Sequence, residues 1–136
     1  MTPERRPPDD PGEWLNRAKS NLVRARADAR LEDVYLEDLC FDVQQAAEKA
    51  IKAVLIHKEV DFPYVHDIAR LLSLVEETGI SLPSEVREAE VLTPYAVLSR
   101  YPGVAEPITE ERDKAALAIA EAVLEWAQEK VSTDVS

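Results

Sequence analysis

The stretch from Tyr35 to Lys58 constrains the fold most, because it contains neither glycine nor proline and is rich in apolar residues. These apolar residues recur at spacings of three and four, which is the helical period, and they cover much more than one stripe of a helix. They are Leu36, Leu39, Cys40, Val43, Ala46, Ala47, Ala50, Ile51, Val54 and Leu55. A helix with so wide an apolar surface needs neighbours on several sides, so the sequence predicts a long central helix.

Four further helices are predicted around this central helix, over residues 12–31, 66–78, 84–92 and 110–131, and a short helical stretch follows Thr93-Pro94. The first and last show one apolar face each. No segment shows the sustained alternation of a strand. Short connections between most neighbours favour antiparallel packing. We therefore expect an all-α, five-helix up-and-down bundle with a long central second helix.

Local signals predict where these helices begin and end. The central helix is expected to end near the segment from Glu59 to Pro63, because the proline prevents it from continuing, and Gly79 suits a C-terminal cap of the third. Pro83 is expected in the first turn of the fourth helix, and Thr109 is expected to cap the last. On the central helix, four-residue spacing predicts two side-chain pairs, Glu48 with Lys52 and Gln45 with Lys49.

The length of 136 residues fits one domain. The proline-rich residues 1–11 are expected to form a disordered arm, residues 12–131 the bundle, and residues 132–136 a frayed tail. No signal-peptide pattern opens the chain, and no apolar run approaches the roughly 20 residues of a membrane span. We therefore expect a cytoplasmic protein that does not bind membranes.

Composition argues against several kinds of chemistry. The net charge of −11 disfavours RNA or DNA as a partner, because phosphate backbones attract positive surfaces. Cys40 is the only cysteine, so no internal disulfide can form, and its place among apolar residues predicts a small buried hydrophobe. His57 and His66 with one cysteine supply no evident zinc ligand set, and no glycine-rich loop could cradle a phosphate. We expect no metal and no cofactor.

Three motifs follow one another along the chain: Gln44-Gln45-Ala46-Ala47-Glu48-Lys49 on the central helix, then His66-Asp67, then Arg100-Tyr101-Pro102. In this order and at this spacing they resemble the signature of the HEPN domain family. More narrowly, they resemble its short stand-alone bacterial and archaeal members. The resemblance extends roughly over residues 14–131, which is nearly the whole predicted bundle.

This resemblance implies a five-helix bundle that is often dimeric and that pairs with a minimal nucleotidyltransferase, in the manner of a toxin-antitoxin pair. It implies a nucleotide-binding subunit, a partner subunit, or both. The candidate nucleotide or partner contacts are Gln45, Lys49, His66, Arg100 and Tyr101. Each also has a structural interpretation: a satisfied polar seam for the first two, a cap or packing contact at the start of the third helix for His66, a stabilising ion pair for Arg100, and a role in shaping its loop for Tyr101.

Some HEPN proteins cut RNA with an arginine followed, after four to six residues, by a histidine. Neither His57 nor His66 has an arginine at those positions, and Arg100 is followed there by Ala105, Glu106 and Pro107. The sequence therefore favours a protein without this ribonuclease activity, and no catalytic residue is assigned. Two alternatives remain open: a divergent ribonuclease that uses Arg100, and a structural dimerisation module whose acidic surface meets a basic partner.

Overall fold

The computed structural model describes residues 8–28, 33–98 and 108–133, and within these ranges the regular structure is entirely helical. The helices are α1 (Pro11–Asp28), α2 (Leu36–His57), α3 (Ile68–Glu77), α4 (Ser84–Arg87, continued by a 3-10 helix, Glu88–Leu92), α5 (Tyr95–Leu98) and α6 (Glu110–Thr133). The five predicted helices are present, and α5 is the short stretch expected after Thr93-Pro94. The predicted all-α bundle is confirmed.

Helix α2 is the centre of the bundle, as its broad apolar surface predicts. Helices α1 and α6 pack along it, and α3, α5 and the 3-10 helix cover further parts of its surface. Most residues of α2 are buried. Small side chains let its neighbours approach closely, and the buried alanines of α2 are Ala46, Ala47, Ala50 and Ala53. Because neighbouring helices cover most of the surface of α2, their positions determine which edge of this helix remains exposed to solvent.

Helix α2 ends where the sequence predicts, but a turn ends it before the chain reaches Pro63. The helix ends at His57, and Glu59 takes a left-handed conformation with φ of 58°. The backbone N–H of Val60 donates to the carbonyl of Leu55 at 2.9 Å, which is the closing bond of a Schellman-type turn. The helix is therefore ended by this turn, before the chain reaches the proline.

Helix α3 begins one residue after Asp67, whose carboxylate accepts hydrogen bonds from the backbone N–H groups of Ala69 and Arg70. This residue is the N-cap, so His66 lies just outside the helix and does not cap it. At the other end Gly79 has φ of 94°, a left-handed conformation that glycine adopts without strain. The predicted glycine cap is confirmed.

The starts of α4 and α6 follow two different patterns. Pro83 occupies the N-cap position of α4 and makes no side-chain cap, so the prediction that it lies in the first turn is wrong by one position. Thr109 caps α6 as predicted, because its hydroxyl accepts from the backbone N–H of Arg112 at 3.2 Å. Helix α6 also continues through Ser132 to Thr133, two residues beyond the expected end.

Residues 1–7 and 134–136 lie outside the described residues, so a disordered arm and a frayed tail remain predictions. Among the helices that the structure describes, none combines the length and apolar character that a membrane span requires.

Candidate functional site

An edge of α2 carries buried polar side chains in an otherwise apolar surface. Four of them belong to α2 and one to the facing helix α1: Asp42, Gln44, Glu48, Lys52 and Asn21. Burying a charged or polar group is costly unless it has hydrogen-bonding partners. The hydrogen-bonding partners of these side chains therefore distinguish groups that stabilise the fold from groups that remain available to contact a ligand.

Four side chains form what we call the Glu48 cluster: Glu48, Gln44, Lys52 and His66. The Glu48 carboxylate is 3% exposed and accepts hydrogen bonds from Gln44 Nε2 at 3.0 Å and Lys52 Nζ at 2.9 Å. His66 Nδ1 lies 2.8 Å from Glu48 Oε1. The predicted pairing of Glu48 with Lys52 is confirmed. The cluster joins α2 to the segment just before α3.

Burial alone would raise the pKa of Glu48, but the hydrogen bonds from Gln44, Lys52 and His66 outweigh it and hold the pKa below its usual value. The Lys52 ammonium also lies 5.8 Å from the ring centroid of Trp14 and 5.5 Å from that of Phe62. The protein itself thus satisfies the charges of this cluster.

A second group of polar side chains lies beside the Glu48 cluster on the surface of α2. In this group Asn21 forms hydrogen bonds with both Asp42 and Lys49. Its Nδ2 donates to Asp42 Oδ1 at 3.0 Å, and its Oδ1 accepts from Lys49 Nζ at 2.9 Å. The Arg24 guanidinium lies 3.5 Å from the same Asp42 oxygen. The amide side chain therefore sets the spacing of α1 against α2 at this edge.

This second group lines an open cavity of about 530 Å³ between α1 and α2, which we call the seam cavity. Its lining residues are Asn21, Arg24, Val34, Asp38, Phe41, Asp42, Gln45 and Lys49. The volume lies in the range of small-molecule sites. The lining combines one aromatic ring, two amides, two carboxylates and two cations, which suits a polar ligand with a planar part.

Lys49 is the less exposed of the two cations in the seam cavity. It is half-buried, and within the described residues its hydrogen-bonding partner is the Asn21 amide, with no carboxylate in ion-pair contact. Burial lowers the pKa of Lys49, and the positive charges of Arg17 and Arg24 lower it further, against the opposing effect of Glu48 and Asp42. A desolvated ammonium that faces a cavity is a suitable contact for an anionic group.

The structure brings together two of the five predicted contact residues, Gln45 and Lys49, in the seam cavity. They do not pair with each other as predicted, because Gln45 Nε2 donates instead to Gln44 Oε1 at 2.7 Å. His66 belongs to the Glu48 cluster, which this Gln45–Gln44 bond connects to the cavity. Arg100 and Tyr101 lie outside the described residues.

Sequence reasoning missed Asn21, Arg24 and Asp42 as members of the site. Asn21 could have been found, because it stands beside Leu22 on the stripe of α1 that faces the core. A polar residue on such a stripe indicates a buried hydrogen-bonding partner. Arg24 gives no such signal, because it is one of several exposed cations on α1, like Arg17 and Arg26.

Cys40 does not add a nucleophile to the site. It is fully buried, and burial together with the charge of Asp113 raises the pKa of its thiol to about 12. The Sγ atom lies 3.6 Å from Asp113 Oδ1. The thiol therefore stays protonated, as expected of a small buried side chain. Among the described residues, no group of three or more histidine, cysteine or acidic side chains is placed to hold a metal ion.

Comparison with known proteins gives a consistent family assignment. The model of the HEPN domain family matches residues 12–131. The crystal structure of TT1696 from Thermus thermophilus superposes with a TM-score of 0.73 at 29% identity, covering 90% of this chain and 98% of that one. The crystal structure of ST0689, an archaeal HEPN homologue, gives 0.72 at 26% identity, covering 96% and 100% respectively. No curated protein sequence matches.

Proposed function

The chain belongs to the HEPN domain family, and from that premise we propose that it is a non-catalytic binding subunit. It binds a nucleotide in the seam cavity, and it pairs with a minimal nucleotidyltransferase. The family membership supplies the scaffold, and the polar edge of α2 supplies the residues that would contact the ligand.

Lys49 is the observation that carries the nucleotide proposal. A half-buried ammonium that bonds an amide and no carboxylate among the described residues is unfavourable in the free protein. A phosphate group would satisfy it through a charge-assisted hydrogen bond. The charges of Arg17 and Arg24 and those of Glu48 and Asp42 act on the pKa of Lys49 in opposite directions, and burial has the largest effect on it.

The rest of the cavity suits the other parts of a nucleotide. Phe41 is half-buried and offers an aromatic ring against which a base can stack. Gln45 offers an amide that can both donate and accept hydrogen bonds, and Asp38 is exposed and can accept from a sugar hydroxyl or an exocyclic amine. Aromatic, amide and carboxylate groups beside a cation match the mixed chemistry of a nucleotide.

The proposed absence of catalysis is supported by the sequence and by the placement of Lys52. No histidine follows an arginine at the spacing of the ribonuclease motif. The near match of Lys52 and His57 cannot act as that pair, because the Lys52 ammonium bonds Glu48 and lies against Trp14 and Phe62. Incubation of the wild type with RNA should give no cleavage. Cleavage that disappears in an Arg100→Ala variant would instead establish the divergent-ribonuclease alternative.

Nucleotide binding is tested by isothermal titration of nucleoside monophosphates into the wild type and a Lys49→Met variant. The loss of one charge-assisted contact should weaken binding by about tenfold or more, which corresponds to ~1.4 kcal/mol. Lys19→Met is the matched control, because Lys19 is an exposed lysine of α1 and lines no part of the cavity. Equal affinities for all three proteins would reject the site.

The pairing with a nucleotidyltransferase is supported by the resemblance to stand-alone HEPN proteins. Co-expression with the product of a neighbouring nucleotidyltransferase gene should yield a complex that co-elutes at micromolar concentration. If the two proteins elute separately at that concentration, the pairing is rejected while nucleotide binding stands. We also propose that the chain forms a homodimer, as the resemblance implies. Light scattering of the chain alone tests this, and a strictly monomeric mass at the same concentration would exclude it.

A further inference from the structure

The amine of Lys49 differs in its surroundings from those of two other lysines. Lys19 is exposed on α1, and the buried Lys52 forms an ion pair with Glu48 at 2.9 Å. Lys49 is half-buried, lines the seam cavity and bonds the side-chain amide of Asn21. Its amine is therefore open to a small molecule in the cavity, and no carboxylate among the described residues holds it in an ion pair.

The Asn21 amide positions this amine. Its Oδ1 accepts a hydrogen bond from Lys49 Nζ at 2.9 Å, and its Nδ2 donates to Asp42 Oδ1 at 3.0 Å, which fixes the orientation of the amide. A hydrogen bond donated by one N–H leaves the lone pair of a neutral amine free to attack an electrophile. The arrangement therefore suits a nucleophile as well as a cation.

The neutral form of this amine is more abundant than in an exposed lysine. Burial has the largest effect on the pKa of Lys49 and lowers it. Glu48 and Asp42 oppose this effect, Arg17 and Arg24 add to it, and the net result is a lowered pKa. Desolvated lysines of this kind act as nucleophiles toward carbonyl groups.

Arg24 offers a position for an anionic leaving group in the same cavity. Its side chain is 65% exposed, and its contact of 3.5 Å with Asp42 is longer than a charge-assisted hydrogen bond. The guanidinium therefore keeps N–H groups that can bind a phosphate. The cavity of about 530 Å³ is in the range that holds drug-sized molecules, so it has ample room for a small acyl phosphate.

We propose that Lys49 is a modification site, at which the side-chain amine is acylated by small acyl phosphates. The neutral amine attacks the carbonyl carbon, so that an N–C bond forms and the C–O bond to the phosphate breaks. The phosphate leaves with the electron pair of that bond and takes one proton from the amine. The amide that results still has an N–H to donate to Asn21, and no ion pair within the described part of the chain is lost.

Acylation of Lys49 also has a consequence for binding, which rests on the proposed nucleotide-binding function. The amide has no positive charge, so the modified protein loses its contact with the phosphate of a nucleotide. In turn, a bound phosphate favours the protonated amine, which is not a nucleophile. Acylation and nucleotide binding therefore exclude each other at this residue.

The first test compares the acetylation rates of Lys49 and Lys19. The full chain is incubated with acetyl phosphate at about pH 8, where ordinary lysines are mostly protonated, and peptides are quantified by mass spectrometry. Exposure alone predicts that Lys19 reacts faster. We expect Lys49 to react about threefold faster or more, because its neutral form is more abundant. A rate at Lys49 equal to or below that at Lys19 would overturn the proposal.

An Arg24→Gln variant tests the choice of acyl phosphates as the reagent. The rate at Lys49 should fall toward that at Lys19, and the rate at Lys19 should not change. Arg26→Gln is the matched control, because Arg26 is an exposed arginine of α1 that contacts Glu121 and lines no part of the cavity. An Arg24→Gln protein that reacts like the wild type at Lys49 would overturn the assignment of acyl phosphates.

Addition of AMP separates this modification from the proposed function. AMP should slow the acetylation of Lys49 and not that of Lys19, and protein acetylated at Lys49 should bind AMP about tenfold more weakly or worse. If Lys49 reacts fast and AMP has neither effect, the modification site stands and the nucleotide site is wrong. If AMP binds and Lys49 reacts no faster than Lys19, the modification site is wrong and the nucleotide site stands.

Discussion

Glu48 and Lys49 are neighbours in the sequence, yet the structure gives them opposite surroundings. Successive helical side chains point about 100° apart, so the two residues face different sides of α2. The Glu48 carboxylate is buried and bonded by Gln44, Lys52 and His66, whereas the half-buried Lys49 bonds one amide beside a cavity. Adjacent residues of one motif can thus serve the fold and the proposed binding site separately.

The largest expected effect is the loss of the Glu48 carboxylate. A Glu48→Ala variant leaves the Lys52 ammonium buried without its partner, and breaking a buried pair from one side costs about 3–5 kcal/mol. Urea unfolding should show this loss as a lower midpoint. Replacing both residues, as Glu48→Ala with Lys52→Met, should recover much of the stability, because no uncompensated charge remains. A double variant as unstable as the single one would contradict this account of the cluster.

Acidic pH should remove the contribution of the Glu48 carboxylate to stability without a mutation. Because the pKa of Glu48 is lowered in the folded protein, the folded state binds fewer protons than the unfolded state. The stabilisation is therefore complete above the unfolded value near 4.5 and is lost as the pH falls through the lower folded value. The stability difference between wild type and Glu48→Ala should shrink below that pH. A difference that stays constant down to about pH 3 would show that the charge is not responsible.

His66 should matter less than Glu48, because its side chain is 58% exposed. A His66→Ala variant should lose about 1 kcal/mol or less, as expected of a solvent-exposed hydrogen-bonding partner. Hydrogen exchange should localise the change to the start of α3 and the preceding segment. A loss as large as that of Glu48→Ala would mean that the contact is structurally central.

The smallest effect on stability is expected for Lys49→Met. Removal of a poorly satisfied half-buried charge should leave the free energy of unfolding within about 0.5 kcal/mol of wild type, or slightly raise it. The same variant is expected to lose ligand affinity, so stability and binding should separate at this position. A Lys49→Met protein that unfolds as readily as Glu48→Ala would show that Lys49 stabilises the fold, as Glu48 does.

The sequence pattern predicted the features that depend on residues close together in the chain. The breadth of the apolar surface located α2, and the four-residue spacing predicted the contact of Glu48 with Lys52. Contacts set by tertiary packing were not predictable in this way. Lys49 meets Asn21 only because α1 and α2 pack in one particular register, and His66 reaches Glu48 only because a left-handed turn at Glu59 redirects the chain.

The most direct test of the different roles of Glu48 and Lys49 is the pKa of Lys49. It can be measured by NMR of isotopically labelled lysine side chains with and without AMP. An anion at the ammonium favours the protonated form and must raise the pKa. In the free protein the value should lie below the ordinary 10.5, and AMP should raise it. A value at or above 10.5 in the free protein, or one that AMP leaves unchanged, would contradict the assignment of Lys49 as the anion contact.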